Sequence, residues 1–274
     1  MSKNAFSLVE LSIVLVILGL LTGGILGGQA LIRAAELRSI STDFNKYVTA
    51  ARTFRDKYFG LAGDITNATK FWGQDAGGCP GNNTTATTPG TATCDGSGDG
   101  TMGAGVNYYE VYRGWQQLAN AGLIEGSFTG VCNSATCTGR INSIATPNVP
   151  KARLNNAAWT LIHSGTIAVN DVGMFDGTYG HVLLLGNTGA DPMGSTGTSP
   201  PLKPEEAWNI DTKMDDGKPG TGSVLSPKTT FTARSDGTGC SDVGYTTASS
   251  IAASSNYQLS NSSAACPLVM KTGY

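Results

Sequence analysis

The chain has 274 residues, of which 37 are glycine and only 14% are charged, with a net charge of -2 at neutral pH; glycine stands at about twice its usual ~7% share, and charge well below the usual ~25%. Forty per cent hydrophobic residues over this length supply one good core or two modest ones, which excludes wholesale disorder. The charge balance and the lack of any long Lys/Arg run exclude a surface built for phosphates, so nucleic acid is not an expected partner.

In chain order, the first element is an apolar helix. Residues 11–32 carry no charged side chain, and as a helix they reach about 33 Å, enough to cross a bilayer hydrocarbon core. Lys3 is the only cation ahead of the run, while Arg33 and Arg38 follow it with Glu36 between them; a count of cations alone would place the C-terminal side inside. No small-x-small cleavage site followed by a polar start succeeds the run, so a secretory signal peptide is not the favoured reading. Glu10 is the anomaly, because a charged group at a bilayer centre costs about 2.5 to 3.5 kcal/mol even on lenient scales. Either it sits among headgroups at the membrane edge, or a cation neutralises it inside an assembly of packed helices. Gly19, Gly23, Gly24, Gly27 and Gly28 set small residues four apart as 19/23, 23/27 and 24/28, which lets neighbouring helices approach closely. Each interior glycine also costs about 0.8 to 1 kcal/mol relative to Ala, making 23–28 the expected place for local melting.

Residues 5–21, Ala5-Phe6-Ser7-Leu8-Val9-Glu10-Leu11-Ser12-Ile13-Val14-Leu15-Val16-Ile17-Leu18-Gly19-Leu20-Leu21, resemble the processing and methylation segment of type IV prepilins and type II secretion pseudopilins. The shared pattern is a short polar leader, a small residue, Phe, three residues, Glu and a long apolar run; Ala5 stands where the family usually has Gly. The resemblance implies that prepilin peptidase cuts after Ala5 on the cytoplasmic face, that the new Phe6 amine is methylated, and that the globular part lies outside the inner membrane, against the cation count. It further implies that Glu10 pairs with the Phe6 amine of a neighbouring subunit. Pilins commonly carry a helix-breaking Pro near the position of Gly27, and some of their filaments unwind there.

Beyond the span, Leu37, Ile40, Phe44, Tyr47, Ala51, Phe54 and Tyr58 recur in steps of three and four, one stripe of a continuing helix. Arg38, Asp43, Lys46, Arg52, Arg55 and Asp56 lie off the stripe, and Gly60 with Gly63 supplies the stop. The stripe is too short for a free coiled coil and is expected to pack on the chain's own sheet. Residues 6–58 then form one rod about 80 Å long.

The remainder reads as short mixed elements between glycine-rich loops. Residues 108–121 form a second helix, with Val111, Trp115 and Leu118 on one face and Gly122 as its stop. Residues 158–169 and 179–185 are strands, 224–233 a weaker one, and 204–216 a helix opened by Pro204 and ended at Gly217. The low-complexity segment 79–105 is read as a surface loop. The aromatics Phe71, Trp72, Trp115, Trp159 and Trp208 are read as core.

The six cysteines, Cys79, Cys94, Cys132, Cys137, Cys240 and Cys266, all fall after the apolar run and read as disulfide staples of an oxidising compartment. Fifteen pairings are available; the nearest-neighbour set 79/94, 132/137 and 240/266 closes three uncrossed loops. Zinc is disfavoured because no C-x2-C pair occurs.

Two segments carry oxygen ligands suited to calcium. Asp95, Ser97 and Asp99 alternate ahead of Gly100 like the first half of an EF-hand loop, whose second half is missing, so calcium there would need Glu110 swung in; an ordinary Gly/Asp turn is the favoured reading. Asp211, Asp215 and Asp216 gather at a helix C-terminus, where the dipole disfavours anions and a cation is wanted: Lys213, Lys218, another element's N-terminus or calcium. Family resemblance adds that many pseudopilins and some pilins hold calcium in a loop of the head, without assigning it to these residues. The match of 98–103 to G-x-G-x-x-G follows no apolar strand and is read as chance. His163 and His181 are the only histidines; metal or acid-base work needs them to converge, and each is read as simply occupying its strand. With no G-x-S-x-G motif and no catalytic constellation, an enzyme is not expected.

The expectation is therefore an α+β chain: a leader (1–5), a transmembrane and assembly helix (6–32), its amphipathic continuation (33–59), and an extracytoplasmic head (60–274) with an antiparallel sheet and disulfide-stapled loops. The resemblance implies a structural subunit of a type IV pilus-like filament, assembled with copies of itself and other pilins by an inner-membrane platform. A periplasmic pseudopilin fibre is the alternative, and a membrane-anchored binding module or enzyme the alternative of another class.

Overall fold

A computed structural model describes residues 8–76, 79, 90–103, 109–131, 143–167, 174–188, 200–226, 239–242 and 255–274. Helix α1 (Leu8–Tyr58) is followed by α2 (Ala68–Trp72), α3 (Tyr109–Asn120), strands β1 (Ala157–Ile167) and β2 (Gly177–Asn187), α4 (Pro204–Met214), β3 (Val224–Leu225) and β4 (Leu268–Lys271). The four strands make one sheet in the order β1-β2-β4-β3, with every neighbouring pair antiparallel. The α+β class and the long apolar leading helix expected from sequence are present.

The rod changes character at Arg33. No residue of 8–32 is buried, whereas Ser39, Ile40, Tyr47, Val48, Ala50, Ala51 and Phe54 are. The predicted stripe does face the head, with Leu37, Phe44 and Tyr58 packed at its margins. It does not lie on the sheet alone: α1 packs on α3 and α4. Tyr47 meets Trp115 of α3 at 5.0 Å and Trp159 of β1 at 5.8 Å, both edge-on, a geometry aromatic quadrupoles favour. Phe54 stacks with Trp72 and meets Tyr58 at a tilt at the far end.

The stop differs from the expected one. Phe59 itself adopts a left-handed φ of 57° and its N–H returns to the Arg55 carbonyl at 2.8 Å, so the turn rests on a residue that pays a steric cost there. Gly63 instead serves a close approach, since a Cβ at this position would lie 2.2 Å from the Glu110 carbonyl oxygen of α3.

Helix α3 is a buried pillar on nearly all sides, including Glu110, Arg113, Gln116 and Gln117. Its polar face is satisfied by loops: Gln117 accepts from Gly63 N at 2.7 Å and donates to the Cys94 carbonyl at 3.1 Å. Arg113 pairs with Asp75 at 2.7 Å and donates to Gln116 at 2.9 Å. The reading of 79–105 as a surface loop holds in part: among its described residues, 97–100 are exposed, whereas Thr93, Cys94 and Met102 are fully buried against α3 and its surroundings. The aromatic set needs correction: Trp115 and Trp159 are core, but Phe71 and Trp208 are exposed.

Strand β2 is central and buried from His181 to Asn187. Strand β4, too short to stand out in the sequence, fills the slot between β2 and β3, with Leu183 opposite Met270 and Val224 on the other side. Disulfides Cys79–Cys94 and Cys240–Cys266 are formed. Cys132 and Cys137 lie outside the described residues, as do the distal parts of the predicted strands 158–169 and 224–233.

Candidate functional site

Three groups of sequence-predicted residues can be placed. The first is the exposed half of α1. Ala5 and Phe6 lie outside the described residues, while Glu10 stands in the first turn of the helix. Gly19, Gly23, Gly24, Gly27 and Gly28 have nothing within 4 Å of an added Cβ, so this face is open to another helix. The hydroxyls of Ser12 and Thr22 donate to the carbonyls of Val9 and Leu18, each at 2.8 Å, which hides their polarity inside the helix as an apolar medium requires. In the single chain α1 runs unbroken through 23–28, the stretch its glycines weaken most.

At the end of that face stands a clasp that sequence reading missed. Arg33, the first charged residue after the run, holds Glu206 of α4 with both prongs, Nε to Oε1 at 2.6 Å and Nη2 to Oε2 at 2.7 Å, and reaches Glu36 and the Pro201 carbonyl as well. Glu206 also accepts the Lys203 N–H at 2.9 Å, tying the α4 N-terminus into the pair. Burial alone would raise the Glu206 carboxyl, but the Arg33 and Lys203 hydrogen bonds outweigh it and hold the group below its ordinary value. Only the position of Arg33 was a signal; a partner 173 residues away leaves none.

In the second group, the residues of the half EF-hand pattern serve different partners. Asp95 accepts from Thr69 N at 2.8 Å, and Asp99 from Thr101 N at 2.8 Å. Glu110 is indeed swung in, but as an acceptor for Ser97 N at 2.8 Å and Gly103 N at 3.1 Å. Burial raises its carboxyl against those two donors. Three further N–H groups of the loop converge on Asp64: Gly98 and Asp99 donate to Oδ1 at 2.7 and 3.1 Å, Gly100 to Oδ2 at 2.9 Å. This is a nest of amides around a carboxylate, the inverse of a cation loop. Gly96 permits it, because a Cβ there would fall 2.3 Å from the Asp64 Cα.

The third group does converge. Carboxylate oxygens of Asp211, Asp215 and Asp216 lie within 4.8 Å of one another, with Asp211 buried and the others exposed. Asp211 accepts from Tyr257 OH at 2.9 Å and Gly217 N at 3.2 Å. Burial pushes its carboxyl up to about 7, opposed by those two bonds and reinforced by the neighbouring aspartates. Asp215 accepts from Ser223 N and Val224 N, and Asp216 from Lys218 N and Thr221 Oγ1. Lys218 thus contributes its backbone N–H, while its ammonium goes to Asn256 at 2.7 Å. Three carboxylates provide part of the six to eight oxygens that calcium takes.

The two histidines, read as separate, stand directly opposite each other across the β1–β2 pair with ring centres 4.7 Å apart. Only the strand register brings them together.

No protein-family model, curated protein or solved structure matches the chain.

Proposed function

We propose that this chain is a subunit of a type IV pilus-like filament, stored in the inner membrane as a single-pass precursor, cut between Ala5 and Phe6 by prepilin peptidase, and drawn by an assembly platform into a fibre held together by its leading helix. One observation carries the reading: twenty-five consecutive residues of α1, 8–32, are unburied and almost wholly apolar, on the same unbroken helix whose second half is built into the head. A surface of that kind is not left to water, so lipid or neighbouring helices must cover it. Disulfides in the head agree with an extracytoplasmic address.

Helix geometry gives Glu10 a purpose in this scheme. It lies 23 residues before Arg33, about 35 Å along the axis, slightly more than a hydrocarbon core of about 30 Å. With Arg33 at the outer interface, the carboxylate rests at the opposite headgroup layer and costs little in the stored precursor. When the helix is withdrawn toward the core of a fibre, the charge enters apolar surroundings and requires a cation there. The methylated Phe6 amine of an adjoining subunit is that cation.

Mass spectrometry of the mature N-terminus together with imaging of sheared fibres tests the proposal. A methylated Phe6 in fibres containing this chain is the expected result, and Glu10→Gln is expected to stop their formation. An intact Met1, or fibres indifferent to Glu10→Gln, leaves α1 as an ordinary tether. A fibre confined to the periplasm, with secreted enzymes lost on deletion, reassigns the subunit to a type II secretion system.

A further inference from the structure

We propose that His163 and His181 form a binding site for one divalent transition-metal ion of the imidazole-preferring kind, held by a nitrogen of each ring with water completing its shell. The site is independent of the filament reading and lies in the head, on strands β1 and β2.

Its basis is register. His163 and His181 are direct partners across the antiparallel pair, so their side chains rise from the same face of the sheet. Their ring centres are 4.7 Å apart and the planes cross at 61°. With metal–nitrogen bonds of about 2.1 Å and roughly another 1.2 Å to the ring centre, two imidazoles at about 90 to 109° around one ion have centres about 4.7 to 5.4 Å apart. The observed spacing falls at the lower end of that range.

The protonation pattern is already suited to a ligand. His181 Nδ1 lies 3.1 Å from the Tyr274 main-chain oxygen; only a protonated Nδ1 makes that bond, which leaves the lone pair on Nε2. A second ring nitrogen donating to a main-chain oxygen is the usual support of a metal-bound histidine. The Tyr274 ring stacks on the imidazole at 5.5 Å and 19° and fixes its plane. His181 is 5% exposed, yet its Nε2, like Nδ1 of His163, is buried with no hydrogen-bond partner among the described residues. A buried acceptor left without a donor is unusual in a folded protein, and an ion supplies what is missing. Burial lowers the His181 pKa, opposed by the bond to Tyr274, with His163 lowering it further and Asp64 raising it.

The backbone is shaped around the pair. The β1–β2 register is interrupted immediately after His163, and left-handed Gly165 and Gly180 follow and precede the histidines with φ of 61° and 60°. Bulges of this type re-aim a side chain. Asp64 and Asp99 act electrostatically on His181 and His163, adding negative potential where a cation would sit. On the other side, Arg52 and Arg55 act on Tyr274. Imidazole favours copper, nickel and zinc over calcium or magnesium, which separates this site chemically from the aspartate cluster.

The test uses the tag-free full chain in detergent micelles, stripped with chelator. Zinc is titrated by calorimetry, and copper(II) is read by electron paramagnetic resonance. We expect one ion per chain and a hyperfine pattern from two imidazole nitrogens; because the chain has only two histidines, that pattern by itself assigns both. His163→Asn is expected to lower the affinity at least about 100-fold, and Asp215→Asn to leave it unchanged. Spectra without imidazole nitrogen, or an affinity lost in Asp215→Asn but kept in His163→Asn, overturn the proposal. The wild-type spectrum decides the matter even if the histidine variant fails to fold.

Discussion

Two aromatic residues five positions apart should respond very unequally to truncation. Phe54 is completely buried and clusters with Tyr58 and Trp72 at ring distances of 4.5 and 6.2 Å, while Phe59 is 95% exposed. Removing a buried Phe ring to Ala costs about 3 to 5 kcal/mol, counting both lost burial and the cavity left behind. Against a total stability of about 5 to 15 kcal/mol, that is a large fraction. At about 2 to 4 °C per kcal/mol for a domain of this size, Phe54→Ala should lower Tm by roughly 6 to 20 °C. Phe59→Ala, which keeps the same left-handed backbone and loses no packing, should change stability by no more than about 0.5 kcal/mol. Near-ultraviolet circular dichroism of the full chain in detergent is the suitable readout, because Trp115 and Trp159, packed against Tyr47, report on the head and not on the apolar half of α1. Equal shifts for the two variants, or a Phe54→Ala shift below about 2 °C, would refute the claim that the distal rod is part of the core.

Two further outcomes follow from the clasp and the staples. The folded-state pKa of Glu206 is depressed, so its contribution is present above the ordinary carboxylate range and is lost as pH falls through the lowered value. Protection of the amides at the start of α4, measured against their intrinsic exchange rates, should therefore fall on acidification below about 4.5, and Glu206→Gln should make it low and nearly independent of pH in that window; an unchanged profile in the variant counts against the clasp. Opening the Cys240–Cys266 bridge, which closes 26 residues, by a double Ser substitution should cost about 3.5 kcal/mol from loop closure, seen as a lower denaturant midpoint.

The rod and helices α3 and α4 were legible in the sequence because hydrophobic periodicity and terminal residues are local, whereas the five-residue α2 was too short to show one. Strands β1 and β2 were legible for the same reason. What was lost depends on partners far along the chain. Strand β4 is only four residues long and owes its place to strands on both sides. Segment 90–103 looks polar because its order comes from amides gathered on Asp64 and from a glutamine on α3, which hydropathy does not register. In α3 the Val111, Trp115 and Leu118 face was visible, but the burial of Arg113 was not, since it depends on Asp75 some 38 residues earlier. The acid pattern 95–99 left a turn and a cation loop both open, because spacing alone does not say whether a loop turns its carboxylates or its N–H groups inward.

The bond between Cys240 and Cys266 bears on what a protease can do to this molecule. It joins the chain just ahead of β4 to a point 26 residues earlier, while β4 lies between β2 and β3. Hydrolysis of any single peptide link from 241 to 265 therefore yields two pieces that remain one covalent body, and the inserted strand stays tethered to the rest through Cys266. Scission and loss of the sheet become separate events, and only reduction connects them.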